Sequence, residues 1–375
     1  MERAKHSDDV LRHVVSGFQV WGDFTGAVPY GSGHINDTYK VSVRLAGTPV
    51  HYLLQRINHE IFKQPDRVME NIVRVTEHLR GKLAAGGEAE ASRKALTVIP
   101  ARDGLPYVRD PAGNWWRLYL FIEGAQTYDV IETERQAYEA ARAFARFQNQ
   151  LADLPAPRLH ETIPAFHNTL SRVKALEAAA AADVCGRKAG AAAELAFVEE
   201  RREQCGRLLA RNACGEIPER ITHNDTKINN VMLDDATGEG ICVIDLDTVM
   251  PGLALYDFGD MVRSATASAQ EDERDLSKVG SRINMFGALA RGYLSEATFL
   301  LPAEVEELCF AGRLITLTIG IRFLTDFLAG DVYFKTHRPG QNLDRCRTQF
   351  QMVRSMESQA GAMEAIVREV GKQQK

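Results

Sequence analysis

The spacing of apolar residues changes once along the chain. In the first third they alternate with polar residues or fall in short runs bounded by turn residues. Residues 39–45 and 51–57 flank Ala46-Gly-Thr-Pro, which predicts a hairpin. Residues 96–99, 105–108 and 116–122 read as further strands, connected through Arg102-Asp-Gly and Pro111-Ala-Gly-Asn. One helix interrupts them: Pro65 suits a first turn, and Val68, Ile72, Val75, Leu79 and Leu83 recur at helical spacing. From Thr133 onward the period becomes helical. Thr133 and Gln136 make a capping-box pattern, and Ala137, Ala140, Phe144, Phe147 and Leu151 mark one buried face. Further helices are predicted from about His167 to Cys214, then a strand-rich insert over residues 221–244, then helix to the end.

This order predicts an α+β chain. A small antiparallel-sheet lobe (residues 1–123) leads into a larger, mainly helical lobe (residues 124–375), with a cleft between them for ligands. At 375 residues the chain is long enough for two lobes, and 45% hydrophobic against 25% charged residues is an ordinary globular balance. A net charge of −5 gives no basic footprint for nucleic acid or an anionic membrane. The six cysteines include no C-x-x-C pair, which suits reduced thiols rather than a disulfide framework or zinc site. With no stretch of about 18 uninterrupted apolar residues and no signal-like N-terminus, a cytoplasmic protein, monomer or simple homodimer, is expected.

The chemistry concentrates in His223-Asn-Asp-Thr-Lys-Ile-Asn-Asn, read as His223-x-Asp225-x-Lys227-x-x-Asn230. Phosphoryl transfer needs an acceptor for the nucleophile's proton, a cation near the γ-phosphate and oxygen ligands for magnesium. Asp225, Lys227 and the Asn230 amide oxygen suit these roles at the spacing of a kinase catalytic loop. Twenty residues on, the strand Ile241-Cys-Val-Ile ends in Asp245, a hard-oxygen ligand for magnesium. Asp247 shares its strand face, either assisting or standing in solvent. Asp257-Phe258-Gly259 spells a second kinase motif, but Asp245 already fills its metal-ligand place. Asp257 is therefore expected to buttress the catalytic loop, or to be a carboxylate at a helix start.

These motifs, with Val243-Ile-Asp-Leu-Asp-Thr-Val-Met-Pro-Gly and Tyr256-Asp-Phe-Gly-Asp, resemble the aminoglycoside phosphotransferase/choline kinase superfamily of protein-kinase-like fold, and within it the N-acetylhexosamine 1-kinases. The resemblance implies transfer of the γ-phosphate of ATP, with Mg2+, to the anomeric hydroxyl of an N-acetylhexosamine. A kinase for an aminoglycoside, choline or homoserine, or an inactive nucleotide-binding relative, are the alternatives. The Gly-rich turn Tyr30-Gly31-Ser32-Gly33-His34 offers backbone N–H groups to phosphates; the resemblance sets His34 toward the sugar. The strand lysine expected near Leu53-Leu-Gln55-Arg56 is absent, leaving Arg56 or Gln55 in its place, on opposite strand faces. Glu70 and Glu77 on the following helix are the candidate partners of that cation, or a solvated face. Residues 119–123, with Phe121 and Glu123, resemble the adenine-binding hinge. Arg322 and Tyr333 are implied as acceptor ligands, against an internal Arg322–Asp326 ion pair on one helix. Phe166-His167-Asn168 is a further candidate for that pocket, or a helix start.

Overall fold

Two left-handed residues, Ala46 (φ 48°) and Gly47 (φ 88°), close the predicted hairpin between Leu45 and Thr48, the geometry that matches strand twist in a two-residue turn. The computed structural model describes residues 6–31 and 35–373. Helix α1 (Asp8–Ser16) precedes β1 (Asp23–Pro29), β2 (Asp37–Leu45) and β3 (Thr48–Ile57); α2 (Pro65–Ala85) and the short α3 (Ala91–Lys94) follow, then β4 (Val98–Ile99), β5 (Val108–Arg109) and β6 (Trp115–Leu120). The strands form one antiparallel sheet in the order β1-β2-β3-β6-β4, with β5 also on β6. Leu11, Val14 and Val15 of α1, with Phe18 just after it, pack against Tyr39, Val41, Val43, Leu54, Trp116 and Leu118 on one face. The buried stripe Val68, Met69, Ile72, Val75 and Leu79 of α2 belongs to the larger core, together with Ile57 and Tyr119.

Past residue 124 the chain is mainly helical. β7 (Ala125–Gln126) leads to α4 (Glu134–Leu151), whose Thr133/Gln136 capping box forms as expected. α5 (Thr169–Ala182), α6 (Ala192–Glu199) and α7 (Arg207–Ala213) follow. The strand-rich insert resolves into β8 (Arg220–Thr222), β9 (Val231–Asp234) and β10 (Gly240–Val243), with β11 (Met250–Gly252) paired back onto β8 and β7 added to β9. α8 (Ala254–Ala265), α9 (Ile283–Glu296), α10 (Pro302–Ala329), α11 (Gln341–Ser358) and α12 (Ala360–Gln373) complete the lobe. α10 is long and apolar enough to cross a membrane by length and composition, but it is buried almost all round, as the central helix of a core. The elements not anticipated are α1, β1, α3, β7 and β11; the last two have two or three residues, too few to show a period.

Candidate active site

β8 delivers the chain into the loop at His223, and two buried carboxylates of α8 hold it there. Asp257, fully buried, accepts hydrogen bonds from the amides of His223 (2.8 Å) and Asn224 (2.7 Å) and from Gln148 Nε2 (2.6 Å). Burial pushes its carboxyl up to about 6 against the pull of these donors. Thr226 adds Oγ1 to the Asp257 carbonyl (2.6 Å) and its amide to Asp260 (3.1 Å). Asn224 takes a left-handed conformation (φ 66°), which an Asn tolerates, and turns the chain so that Asp225 leaves the buried layer.

His223 ties the loop to the end of β10. Its Nδ1 accepts from the Asp225 amide (3.3 Å), so Nε2 carries the proton and donates to the Ile244 carbonyl (2.8 Å). The Ile244 amide in turn donates to the Asn230 carbonyl (2.9 Å). These bonds set Asp225, Asn230 and Asp245 beside one another although twenty residues separate the first from the last. Asn230 Nδ2 donates to the Asp225 carbonyl (2.7 Å) and carboxylate (3.1 Å), and Lys227 Nζ sits 3.1 Å from the other Asp225 oxygen. The Asp225 charge, first among its surroundings, raises the Lys227 pKa and keeps the amine protonated.

Asp245 stands in the left-handed region (φ 58°, ψ 58°), a strained place for a residue with a side chain. Protein packed around it strips water from the carboxyl, and Asp247 and Asp225 add negative charge. Together they raise its pKa to about 7, although one side stays open to solvent. Among the described residues no cluster of three His, Cys, Asp or Glu side chains stands ready for a metal. Magnesium asks for less: one or two carboxylates completed by water and substrate phosphates. Asp245 with the Asn230 amide oxygen, whose own nitrogen is turned to Asp225, is a hard-oxygen pair of that kind.

Asp247 has a different position. It is 3% exposed, and both its oxygens are taken, one by Arg117 of β6 and the other by Asn36 Nδ2 (2.7 Å), beside the Gly-rich turn. Arg117 Nε donates to Gln55 Oε1 (2.9 Å), and Gln55 Nε2 to Thr38 (3.1 Å). Gln55 and Arg117 are direct cross-strand partners, so the cation missing from β3 stands one strand over, on β6. Arg56 lies on the other face, bound to Asp37 (2.5 Å) and Asn114 (3.3 Å), and is not brought to the catalytic group. Glu70 pairs with His160 (2.8 Å) and Glu77 is exposed; neither approaches Gln55 or Arg117, and the solvated reading of this face holds. A buried residue of α2 that bridges to the second lobe is Asn71, which donates to the carbonyls of Val249 (3.0 Å) and His160 (2.8 Å).

On the hinge, Phe121 lies beneath Lys40 (Nζ 4.1 Å from the ring centroid) and edge-on to Tyr30 (5.3 Å). The Glu123 side chain is exposed, and its carbonyl already accepts from Arg93 Nε (3.2 Å). Gly31 is left-handed (φ 77°), as a tight glycine turn requires. Ser32, Gly33 and His34 lie outside the described residues.

On the acceptor side, Arg322 does not pair with Asp326. Asp326 instead gathers the amides of Val332 (2.9 Å), Tyr333 (2.8 Å) and Phe334 (2.9 Å) and the Asn342 side chain (2.9 Å), shaping the turn after α10. Arg322 is left among three rings: Phe166 (5.3 Å), Phe334 (5.4 Å) and Tyr333 (5.8 Å). Burial pushes its guanidinium pKa down. His167 is buried beside Phe166, its imidazole pushed down to about 4 by burial and therefore neutral, with Nε2 donating to the Asn224 carbonyl (2.9 Å). Asn168 caps α5 through the Ser171 amide (2.9 Å).

Sequence reading missed Arg117, Asn36, Gln148 and Asp260. One signal was available for Arg117: it is the single charge inside Trp115-Trp-Arg-Leu-Tyr-Leu, and a charge in a buried strand needs a partner. The other three became visible only when distant segments met.

A sheet lobe over a helical lobe, with an Asp–Lys–Asn loop facing a strand-end aspartate, defines a small-molecule phosphotransferase of protein-kinase-like fold. The chain belongs to the phosphotransferase enzyme family whose model, APH, matches residues 26–293. Solved structures of the same fold include a microcompartment-associated aminopropanol kinase (18% identity, TM-score 0.55, covering 95% of this chain and 98% of that one). A choline kinase from Cryptosporidium parvum Iowa II has 15% identity and a TM-score of 0.51, covering 89% of each chain. Spectinomycin phosphotransferase in complex with ADP and spectinomycin has 12% identity and a TM-score of 0.52, covering 90% of this chain and 94% of that one.

Proposed function

We propose that this phosphotransferase uses Mg·ATP to phosphorylate the anomeric hydroxyl of an N-acetylhexosamine. The observation that carries the reading is Arg322, held among aromatic rings with no carboxylate partner among the described residues. Choline and aminopropanol are cations, and a site for them should carry acidic residues or open aromatic faces; an arginine over those faces repels them. A sugar suits it, because the planar guanidinium can bridge two oxygens while a ring packs on the apolar face.

In this reading Asp225 takes the hydrogen bond of the attacking hydroxyl and receives its proton as the acceptor oxygen bonds to the γ-phosphorus and the γ-phosphorus–oxygen bond to the β-phosphate breaks, releasing ADP. Lys227 lies against Asp225, where its charge favours the transferring phosphoryl group. Asn230 and Asp245 would hold Mg2+, which when bound neutralises phosphate charge. His223, Asp257 and Asp260 keep the loop in position. Arg322 and Tyr333 orient the acceptor, and the Gly31 turn with the Phe121 edge takes the nucleotide.

An ADP-release assay across N-acetylhexosamines, plain hexoses, choline, homoserine and aminoglycosides tests the reading. Turnover of N-acetylglucosamine or N-acetylgalactosamine above the others is expected; no response to either refutes the acceptor and leaves the family standing.

A further inference from the structure

Arg322 is accompanied by a second arginine that the proposed mechanism leaves unused. Arg172 lies on α5, one turn past the Asn168 cap, and α5 packs on α10 where Thr169 and Thr318 share a hydrogen bond (2.8 Å). Thr318 is one turn before Arg322, so the two arginines emerge on facing helix surfaces. Both grip Phe166: Arg172 Nη2 donates to its carbonyl (2.9 Å) and, more weakly, to that of Ala165 (3.4 Å), while Arg322 lies over its ring. Phe166 precedes His167, which holds the Asn224 carbonyl next to Asp225. A continuous set of contacts therefore runs from the catalytic carboxylate to the two guanidinium groups.

Neither arginine forms an ion pair with a described residue. The fixed negative charge that acts on Arg322 is Asp260, already bound to Arg263 at 2.8 Å. No carboxylate is among the groups that act on Arg172: burial and the charge of Arg322 lower its pKa, and Tyr333, which also lies against Arg322, opposes them. Its Nε is buried without a hydrogen-bond partner. Two like charges converging in a half-buried place, with a donor unspent, are unfavourable unless an occupant brings oxygen lone pairs. The aromatic lining excludes a broad polar surface, and the two planar forks suit a compact group with two acceptor positions.

We propose that Arg172 is a second acceptor-binding residue, acting with Arg322 to grip one hydrogen-bond-accepting group of the acceptor, an amide carbonyl or a carboxylate, and to exclude acceptors with a fixed positive charge. This deepens the acceptor reading above and rests on Arg322 lining that pocket. An acetamido sugar and a uronic acid share the required chemistry, and the experiment separates them.

The test measures steady-state kinetics of the full chain, its Arg172→Met variant and its Arg172→Lys variant, with N-acetylglucosamine, glucuronate and choline as acceptors and the ATP KM as control. Losing a charged hydrogen bond should raise the KM of the preferred acceptor about 10- to 100-fold in the methionine variant. The ATP KM should stay within about twofold, and the lysine variant, with the charge but not the fork, should fall between. If glucuronate is preferred and its KM rises in this way, the arginine pair stands and the N-acetylhexosamine reading falls. If N-acetylglucosamine is preferred and its KM does not move, the pair falls and that reading stands. Preference for choline, or an equal rise in the ATP KM, overturns the pair. Should the methionine variant lose its cooperative melt, the lysine variant decides: an unchanged acceptor KM there also overturns it.

Discussion

Arg117 and Asp247 form an ion pair sealed between the two lobes, both almost fully buried, in the middle of the hydrogen-bond chain Thr38–Gln55–Arg117–Asp247–Asn36. Three of these residues come from strands of the sheet lobe, one from beside its Gly-rich turn, and one from the turn that carries Asp245. The pair therefore fixes the roof of the site relative to the carboxylate assigned to the metal. Water cannot stand in for either partner at this depth, and Arg117 is held protonated by Asp247 against the opposing effect of burial.

Breaking the pair from one side should be costly. Asp247→Ala leaves a buried guanidinium uncompensated, and a loss of about 3–5 kcal/mol is expected in denaturant unfolding. Replacing both partners, Arg117→Met with Asp247→Leu, should recover most of that loss because no charge is left stranded. A double variant no more stable than the single one would show that the pair is not the dominant contact.

Removing the Asp225 carboxylate should separate chemistry from folding. Asp225 is partly exposed and held in place mainly through its backbone and Asn230, so Asp225→Asn keeps the loop's other bonds. A fall in kcat of about 10²–10⁴-fold is expected, with nucleotide affinity unchanged in a calorimetric titration. Near-normal turnover would take Asp225 out of the reaction.

How far the sequence showed this site depends on the distance over which each cause acts. The Asp225–Asn230 loop and the Asp245 strand end were readable because their spacing is itself the chemistry, and the Ala46-Gly47 hairpin and the Thr133 cap because their signals lie within four residues. The cation expected on β3 was not. The place expected for it holds Gln55, and Arg117 is 62 residues away in sequence but directly opposite Gln55 on the adjacent strand. Asp247 likewise could be read only as an aid to Asp245 or a solvated residue, because its partners come from β6 and from beside the Gly-rich turn. Arg322 and Asp326 show the converse: the spacing permits an ion pair, but four donors from the next turn and α11 claim Asp326 first.

Magnesium affinity should weaken as the medium becomes acid. The Asp245 carboxyl is raised to about 7 by water-stripping and by Asp247 and Asp225, so its proton is still held where an ordinary carboxylate has lost it. A divalent cation must displace that proton, which means the apparent affinity falls with falling pH. Between pH 8 and pH 6 the ionised fraction drops about tenfold, and the magnesium concentration for half-maximal nucleotide binding should rise by a similar factor. A half-saturation that does not change with pH over this interval would show that Asp245 is ionised throughout.

The glycine of Asp257-Phe258-Gly259 is present for packing. Gly259 is helical, inside α8, so it needs no special backbone freedom. A Cβ there would lie 2.5 Å from the Ala311 carbonyl oxygen and 2.7 Å from Ile315 Cγ1, both on α10. Neither neighbour can yield cheaply, since one is backbone and the other belongs to the fully buried Ile315 side chain. Gly259→Ala must push α8 away from α10, and overpacking of this kind costs about 1–3 kcal/mol. The displacement also moves the carboxylates on either side, Asp257 and Asp260, which hold the amides of His223, Asn224 and Thr226. Activity should therefore fall at temperatures where the variant is still fully folded by circular dichroism, through kcat rather than the nucleotide KM. A variant that melts early but turns over normally below its melting point would show that the catalytic loop does not depend on where α8 packs.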